Sequence, residues 1–96
     1  MVARLTSAAS ADLVAAYEWY ERQVPGLGKD FVRAADNALT FVAAHPDIFP
    51  AFHRSLRRVL LRRFPYAVYY RQSLSDIEVL AVFHTAMDPR RLTDRT

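Results

Sequence analysis

His84 and a set of arginines are the side chains of this sequence whose types and spacing suit chemistry. The stretch of residues 57–70, RRVLLRRFPYAVYY, carries two adjacent arginine pairs, and residues 77–84, IEVLAVFH, end in the histidine. Arg57, Arg58, Arg62 and Arg63 repel one another on one strand, and strand alternation sends one of each pair to either face of a sheet. An anionic partner accounts for such a cluster better than stability does. Arginines hold a phosphate and stabilise charge in a transition state, and histidine exchanges protons near neutral pH. His84 with Arg71 or an arginine of the 57–63 strand is therefore a candidate phosphodiester site. The competing reading gives His84 a structural duty, since a histidine ending a strand commonly fixes the next turn through a backbone hydrogen bond. His45 reads as a helix C-terminal residue interacting with the last carbonyls, and His53 as a loop residue. The three histidines lack metal-ligand spacing, there is no cysteine, and the two glycines sit in a turn rather than a phosphate loop. No metal or cofactor is expected.

Positioning these residues takes a helical half and a strand half. Val2–Leu5 reads as a short strand, with Thr6, Ser7 and Ser10 as candidate helix caps. Over residues 8–23, Ala9, Leu13, Ala16, Tyr17, Tyr20 and Val24 share one helical arc, while Glu18, Glu21 and Arg22 lie outside it. Val24-Pro-Gly-Leu-Gly28 breaks this helix. A second helix is expected over residues 29–44, burying Phe31, Ala34, Ala35, Ala38, Phe41 and Val42, with Arg33, Asp36 and Thr40 outside. His45-Pro46 ends it, because the residue before proline leaves helical geometry. The pair should form an antiparallel αα-hairpin.

Beyond a proline-bounded loop the period changes. Residues 57–64, 66–71 and 77–84 are rich in Val, Leu, Tyr and Phe and are separated by breakers, so they read as strands. Their short connections make them antiparallel neighbours. Simple alternation puts Ile77, Val79, Ala81 and Phe83 against the helices, and Glu78, Leu80, Val82 and His84 on the open face near Arg71. Tyr66, Tyr69 and Tyr70 suit cross-strand packing better than base stacking. The fold class is α+β in the order β-α-α-β-β-β: an N-terminal strand and an antiparallel αα-hairpin packed on one face of a small antiparallel β-sheet.

Bulk properties bound the function. Residues 1–96 make one domain, and 52% hydrophobic with 24% charged residues excludes a disordered chain. The longest apolar run is too short for a membrane span, and the missing cysteines fit a cytoplasmic location. The net charge of +3 is uneven: residues 1–48 carry four basic and six acidic side chains, residues 49–96 nine and four. Positive potential on the strand half points to an acidic protein segment or a nucleic acid as partner.

Ala11-Asp12-Leu13 ahead of the Tyr17/Tyr20 helix, then PGLGKDF, HPDIFP, RRVLLRRFPYAVYY, IEVLAVFH and a basic tail, resemble the RelE/ParE toxin superfamily in order and spacing across nearly the whole chain. The resemblance implies the toxin half of a type II toxin–antitoxin pair, neutralised by an antitoxin segment that wraps it. RelE-like members of that superfamily cleave messenger RNA on the ribosome. ParE-like members poison DNA gyrase. This sheet has no lysine, no tyrosine follows Tyr70, and His84-Thr-Ala-Met-Asp-Pro-Arg-Arg-Leu resembles the ParE-type ending, which favours the ParE-like reading. Under the RelE-like alternative, His84, Arg62 and Arg71 would be catalytic. Arg57, Arg58 and Arg63 on the sheet, and Arg90, Arg91 and Arg95 in the tail, are the candidate contacts for antitoxin or target. A basic binding module without toxicity is the third reading.

Overall fold

Thr6 starts the first helix by accepting a hydrogen bond from the Ala9 amide on its hydroxyl at 3.1 Å, which satisfies one free amide of the opening turn. The computed structural model, which describes residues 1–96, runs β1 (Val2–Leu5), α1 (Ser7–Gln23), α2 (Leu27–Ala44), β2 (Arg57–Leu60), β3 (Tyr66–Ser73), β4 (Asp76–His84) and a C-terminal 3-10 helix (Pro89–Arg95).

Between α1 and α2 the chain turns at Gly26, whose φ of 91° lies in the left-handed region that glycine enters without a Cβ clash. Gly26 brings no side chain to cap α2. Glu21 supplies the cap from α1 instead, its two carboxylate oxygens accepting from the amides of Gly26 and Gly28 at 2.9 Å each. A carboxylate at this end also suits the helix dipole. Gly28 lets the helices meet: a Cβ there would stand 2.7 Å from the Tyr17 carbonyl oxygen. The hairpin then buries Ala9, Ala16, Phe31, Ala35 and Val42 against Val59, Val68, Tyr70, Ile77 and Val79 of the sheet. Phe41, expected in the buried stripe, is 41% exposed.

The sheet order is β1-β4-β3-β2. β2, β3 and β4 are antiparallel neighbours, as their short connections require. β1 instead pairs with β4 in parallel, so the sheet is mixed rather than wholly antiparallel. A strand joined to the rest through two helices escapes the constraint that short turns impose. β2 is also shorter than residues 57–64, because Arg63 takes φ 71° and breaks the strand, although the Leu61 amide still donates to Tyr66 O at 2.9 Å.

One irregularity in β4 governs where the histidine goes. The pairing with β3 steps from Tyr70↔Val79 to Tyr69↔Ala81, leaving Leu80 as an inserted residue. A bulge of this kind reverses the alternation beyond it. Ile77 and Val79 face the helices, but so does Val82, whereas Ala81 and Phe83 join Ala67, Tyr69 and Leu92 in a second cluster on the other face. The alternation expected from sequence therefore holds up to Val79 and inverts after Leu80. That second face is not open: the 3-10 helix lies on it, with Leu92 only 4% exposed.

Candidate functional site

β2 distributes its arginines by register. Arg57 stands opposite Tyr70 and Arg58 opposite Tyr69, so the two point to opposite faces. Arg57 turns to the helix side and is used by the fold, donating to the Phe49 carbonyl and pairing with Asp47 at 3.4 Å. Arg58 is exposed on the other face and forms no ion pair. Beyond the strand, Arg63 reaches Asp30 of α2 at 3.6 Å, and Arg33 approaches the same carboxylate at 3.9 Å. Arg62 is exposed and has no carboxylate partner.

Asp30, Arg33, Arg62 and Arg63 rim a groove of about 480 Å³ between α2 and the stretch from β2 into its following turn, and Arg57 and Arg58 lie outside it. Its apolar lining includes Phe41, Phe49, Val59 and Phe64, and Asp30 is the one carboxylate among Arg33, Arg62 and Arg63. An apolar trough with a mostly positive rim takes an amphipathic, acidic chain segment. Asp30, Arg33 and Phe49 were missed as site residues from sequence. Helical periodicity marks Arg33 only as outward-facing, and nothing local says that β2 will lie opposite.

His84, Arg62 and Arg71 do not come together. Arg71 pairs with Glu78 at 2.8 Å, directly across the β3–β4 ladder and on the face away from the helices. His84 pairs in register with Tyr66 at the other end of that ladder and, because of the Leu80 bulge, faces the helices. Five residue steps along β3, from Tyr66 to Arg71, separate the two positions, about 16 Å along the strand. The expected placement of His84 beside Glu78 and Arg71 is thus corrected by one inserted residue. Its Nδ1 accepts from the Ala86 amide at 3.0 Å, which pins the turn after β4. The ring packs edge-on to Tyr66 at 5.2 Å, and Tyr66 packs in turn on Tyr20 at 6.0 Å. Burial pushes the Tyr66 phenol above its ordinary value, with Tyr20 and Asp12 adding to the effect. Tyr66 is therefore protonated at neutral pH. No group of three His, Cys, Asp or Glu side chains is placed to hold a metal ion.

The tail arginines divide as well. Arg95 is bound into the molecule: it pairs with Asp12 of α1, donates to Leu80 O at 3.3 Å, and lies over the Phe83 ring at 4.8 Å. The hydrogen bonds to Asp12 raise its pKa further. Arg90 is 89% exposed and grips Asp88, the cap of the 3-10 helix, at 2.7 Å. That contact holds the Asp88 carboxyl below the usual carboxylate range. Arg91 is exposed and unpaired. Arg58, Arg62 and Arg91 are thus the candidate contacts whose charge no carboxylate in the chain offsets.

The model of the ParE toxin of type II toxin–antitoxin system, parDE, matches residues 3–89. Among solved structures, the chain is similar to one described as the chromosomal ParDE TA system from P. aeruginosa, with 21% identity and a TM-score of 0.65. The match covers 88% of this chain and 95% of that one, and at this identity it speaks to the fold alone. No curated protein sequence matches. No helix is long and apolar enough to cross a membrane.

Proposed function

The chain belongs to the ParE toxin family of type II toxin–antitoxin systems, and from that premise we propose that it arrests growth by inhibiting DNA gyrase and is neutralised by a cognate antitoxin. The observation that carries the gyrase reading over a nuclease is the separation of His84 from Arg71. A phosphodiester-cleaving site needs its proton carrier and its charge stabilisers around one phosphate. Here Arg71 is paired to Glu78 on the opposite face of the sheet, and the His84 Nδ1 lone pair is occupied by the Ala86 amide.

Antitoxin binding is best supported at the groove between α2 and β2. Its apolar lining favours burial, and Arg33, Arg62 and Arg63 favour an acidic partner. The cytoplasm, where gyrase works, is the compartment this reading requires.

One observation favours the ribonuclease alternative. His84 and Tyr66 lie side by side, and neither is fully buried. The test is expression of the chain without a partner, followed by mapping of messenger RNA ends in the arrested cells and a supercoiling assay with purified protein. Arrest with intact messages and blocked supercoiling supports gyrase as the target. New codon-phased RNA ends that vanish with His84→Ala would replace it with the ribosome.

A further inference from the structure

The hairpin between β3 and β4 turns in two residues. Ser73 pairs with Asp76 on the last rung, and Leu74 and Ser75 make the connection. The favoured two-residue hairpin turns put their first central residue at positive φ, where glycine, asparagine or aspartate is the usual occupant. Leu74 stands there instead, with φ 53°. The other non-glycine residues at positive φ are Arg54, Ser55 and Arg63, all of them polar. A bulky apolar side chain in this region is an outlier held against local strain.

Leu74 is also 98% exposed, against 63% for Val2, the next most exposed of the large apolar residues. Exposure of one leucine is ordinary. Exposure at a position whose backbone also disfavours leucine is not, because glycine there would relieve both. Within the chain, then, the side chain has neither a packing role nor a backbone reason.

Charge near the tip selects the occupant. Asp76 is paired to Arg4 at 2.7 Å, and Glu78 to Arg71 at 2.8 Å. Gln72, Ser73 and Ser75 are neutral. The last rungs thus offer no unpaired charge to a nucleic acid or an acidic segment. A neutral tip with one apolar side chain at its apex fits a pocket on a folded protein, since the core of such an interface is depleted of charge. β3 runs eight residues from Tyr66 to Ser73, about 23 Å. The groove assigned to the antitoxin lies toward the Tyr66 end, beside Leu60 and Phe64. A target can therefore engage the hairpin tip without entering that groove.

We propose that the β3–β4 hairpin tip contacts the toxin's protein target, and that Leu74 is the anchor that enters an apolar pocket there. The proposal rests on the gyrase reading above and gives that target a point of contact on this chain.

Leu74→Gly in the full chain tests it, because strain and binding then move in opposite directions. The urea midpoint is expected to be no lower than that of the parent, since glycine accepts φ 53° freely. Inhibition in a supercoiling assay is expected to require about tenfold more protein or more, the loss that follows from burying one leucine fewer. Leu74→Met is expected to retain inhibition, because it keeps the apolar volume. Should Leu74→Gly fail to fold, Leu74→Asn keeps the left-handed geometry and removes the apolar contact in the same way. Folded variants that inhibit gyrase as the parent does overturn the anchor and leave the gyrase reading standing. A parent chain that does not inhibit gyrase overturns that reading instead, and growth arrest becomes the readout. Arrest retained by Leu74→Gly then overturns the anchor, and arrest lost by the folded variant supports it on a different protein target. A complex weakened with the antitoxin rather than with gyrase identifies a different occupant and overturns the assignment. So does self-association of the parent that Leu74→Gly abolishes.

Discussion

Arg95 and Asp12 meet across 83 residues of sequence, with Nη2 donating to Oδ1 at 3.0 Å. The same carboxylate accepts from the Val82 amide at 2.9 Å, and Arg95 donates to Leu80 O. β1 ends at Leu5 opposite Val79, so it has no residue to pair with the part of β4 that follows. Asp12 and Arg95 serve that stretch of β4 in its place. The ion pair is thus a side-chain extension of the ladder and the anchor of the tail.

Arg95→Ala is expected to destabilise the fold by about 1–3 kcal/mol, since it removes charge-assisted hydrogen bonds at a mostly buried site. Arg95→Lys recovers only part of this, because an ammonium cannot reproduce the forked contact. The urea midpoint of each variant reads the effect. An unchanged midpoint for Arg95→Ala would mean that the tail contributes nothing to the fold.

Arg90 and Arg91 face outward from the same 3-10 helix. Changing both to alanine is expected to leave the urea midpoint close to that of the parent, as surface substitutions usually do. Toxicity falls if these side chains touch the target. The pair therefore separates a binding role for the tail from the structural one held by Arg95.

Gly28→Ala tests the helix crossing. The added methyl would meet the Tyr17 carbonyl at 2.7 Å and the Glu21 carboxylate at 2.9 Å, so α1 and α2 must part or the cap must move. A loss of about 1–3 kcal/mol is expected. A melting temperature equal to that of the parent would show that the hairpin closes less tightly than described.

Tyr70 is fully buried and its hydroxyl has no hydrogen-bond partner. Leaving a polar group unpaired in the core costs about 1–3 kcal/mol. Tyr70→Phe is therefore expected to be neutral or stabilising, read from the same denaturation curves. A clear destabilisation would reveal an unseen partner for the hydroxyl.

Burial raises the phenol pKa of Tyr20, Tyr66 and Tyr70 in the folded chain. Above about pH 10 the unfolded chain releases tyrosine protons that the folded chain still holds, so stability falls as pH rises through the folded values. Below about pH 10 these groups give no slope, because both states keep their protons. Equilibrium unfolding between about pH 9 and 12 should show the decline, and Tyr70→Phe should reduce it.

His84→Ala removes the acceptor that fixes the turn at Ala86 and should cost about 0.5–1.5 kcal/mol, the range of an ordinary hydrogen bond. Under the gyrase reading growth arrest survives this change. Loss of arrest from a variant that still melts near the parent would place His84 in the chemistry.

Local patterns determined much of this fold. The bounds of β1, the breaker between the helices and the order of elements follow from periodicity and turn residues, which act over a few positions. The clustering of arginines was equally visible, because charge can be counted along the chain. Tertiary structure alone decided where those charges ended up. Asp47 and Phe49 bind Arg57, Asp30 binds Arg63, and Asp12 holds Arg95, each through a contact that local spacing does not encode. The parallel pairing of β1 is a choice of sheet partner made across the helical hairpin. The bulge at Leu80 is the sharpest case. A strand of unbroken apolar residues reads the same with or without an inserted residue, yet the insertion moves His84 from one face of the sheet to the other. Side-chain parity in a strand depends on every pairing before it, so one tertiary irregularity outweighs a correct local reading.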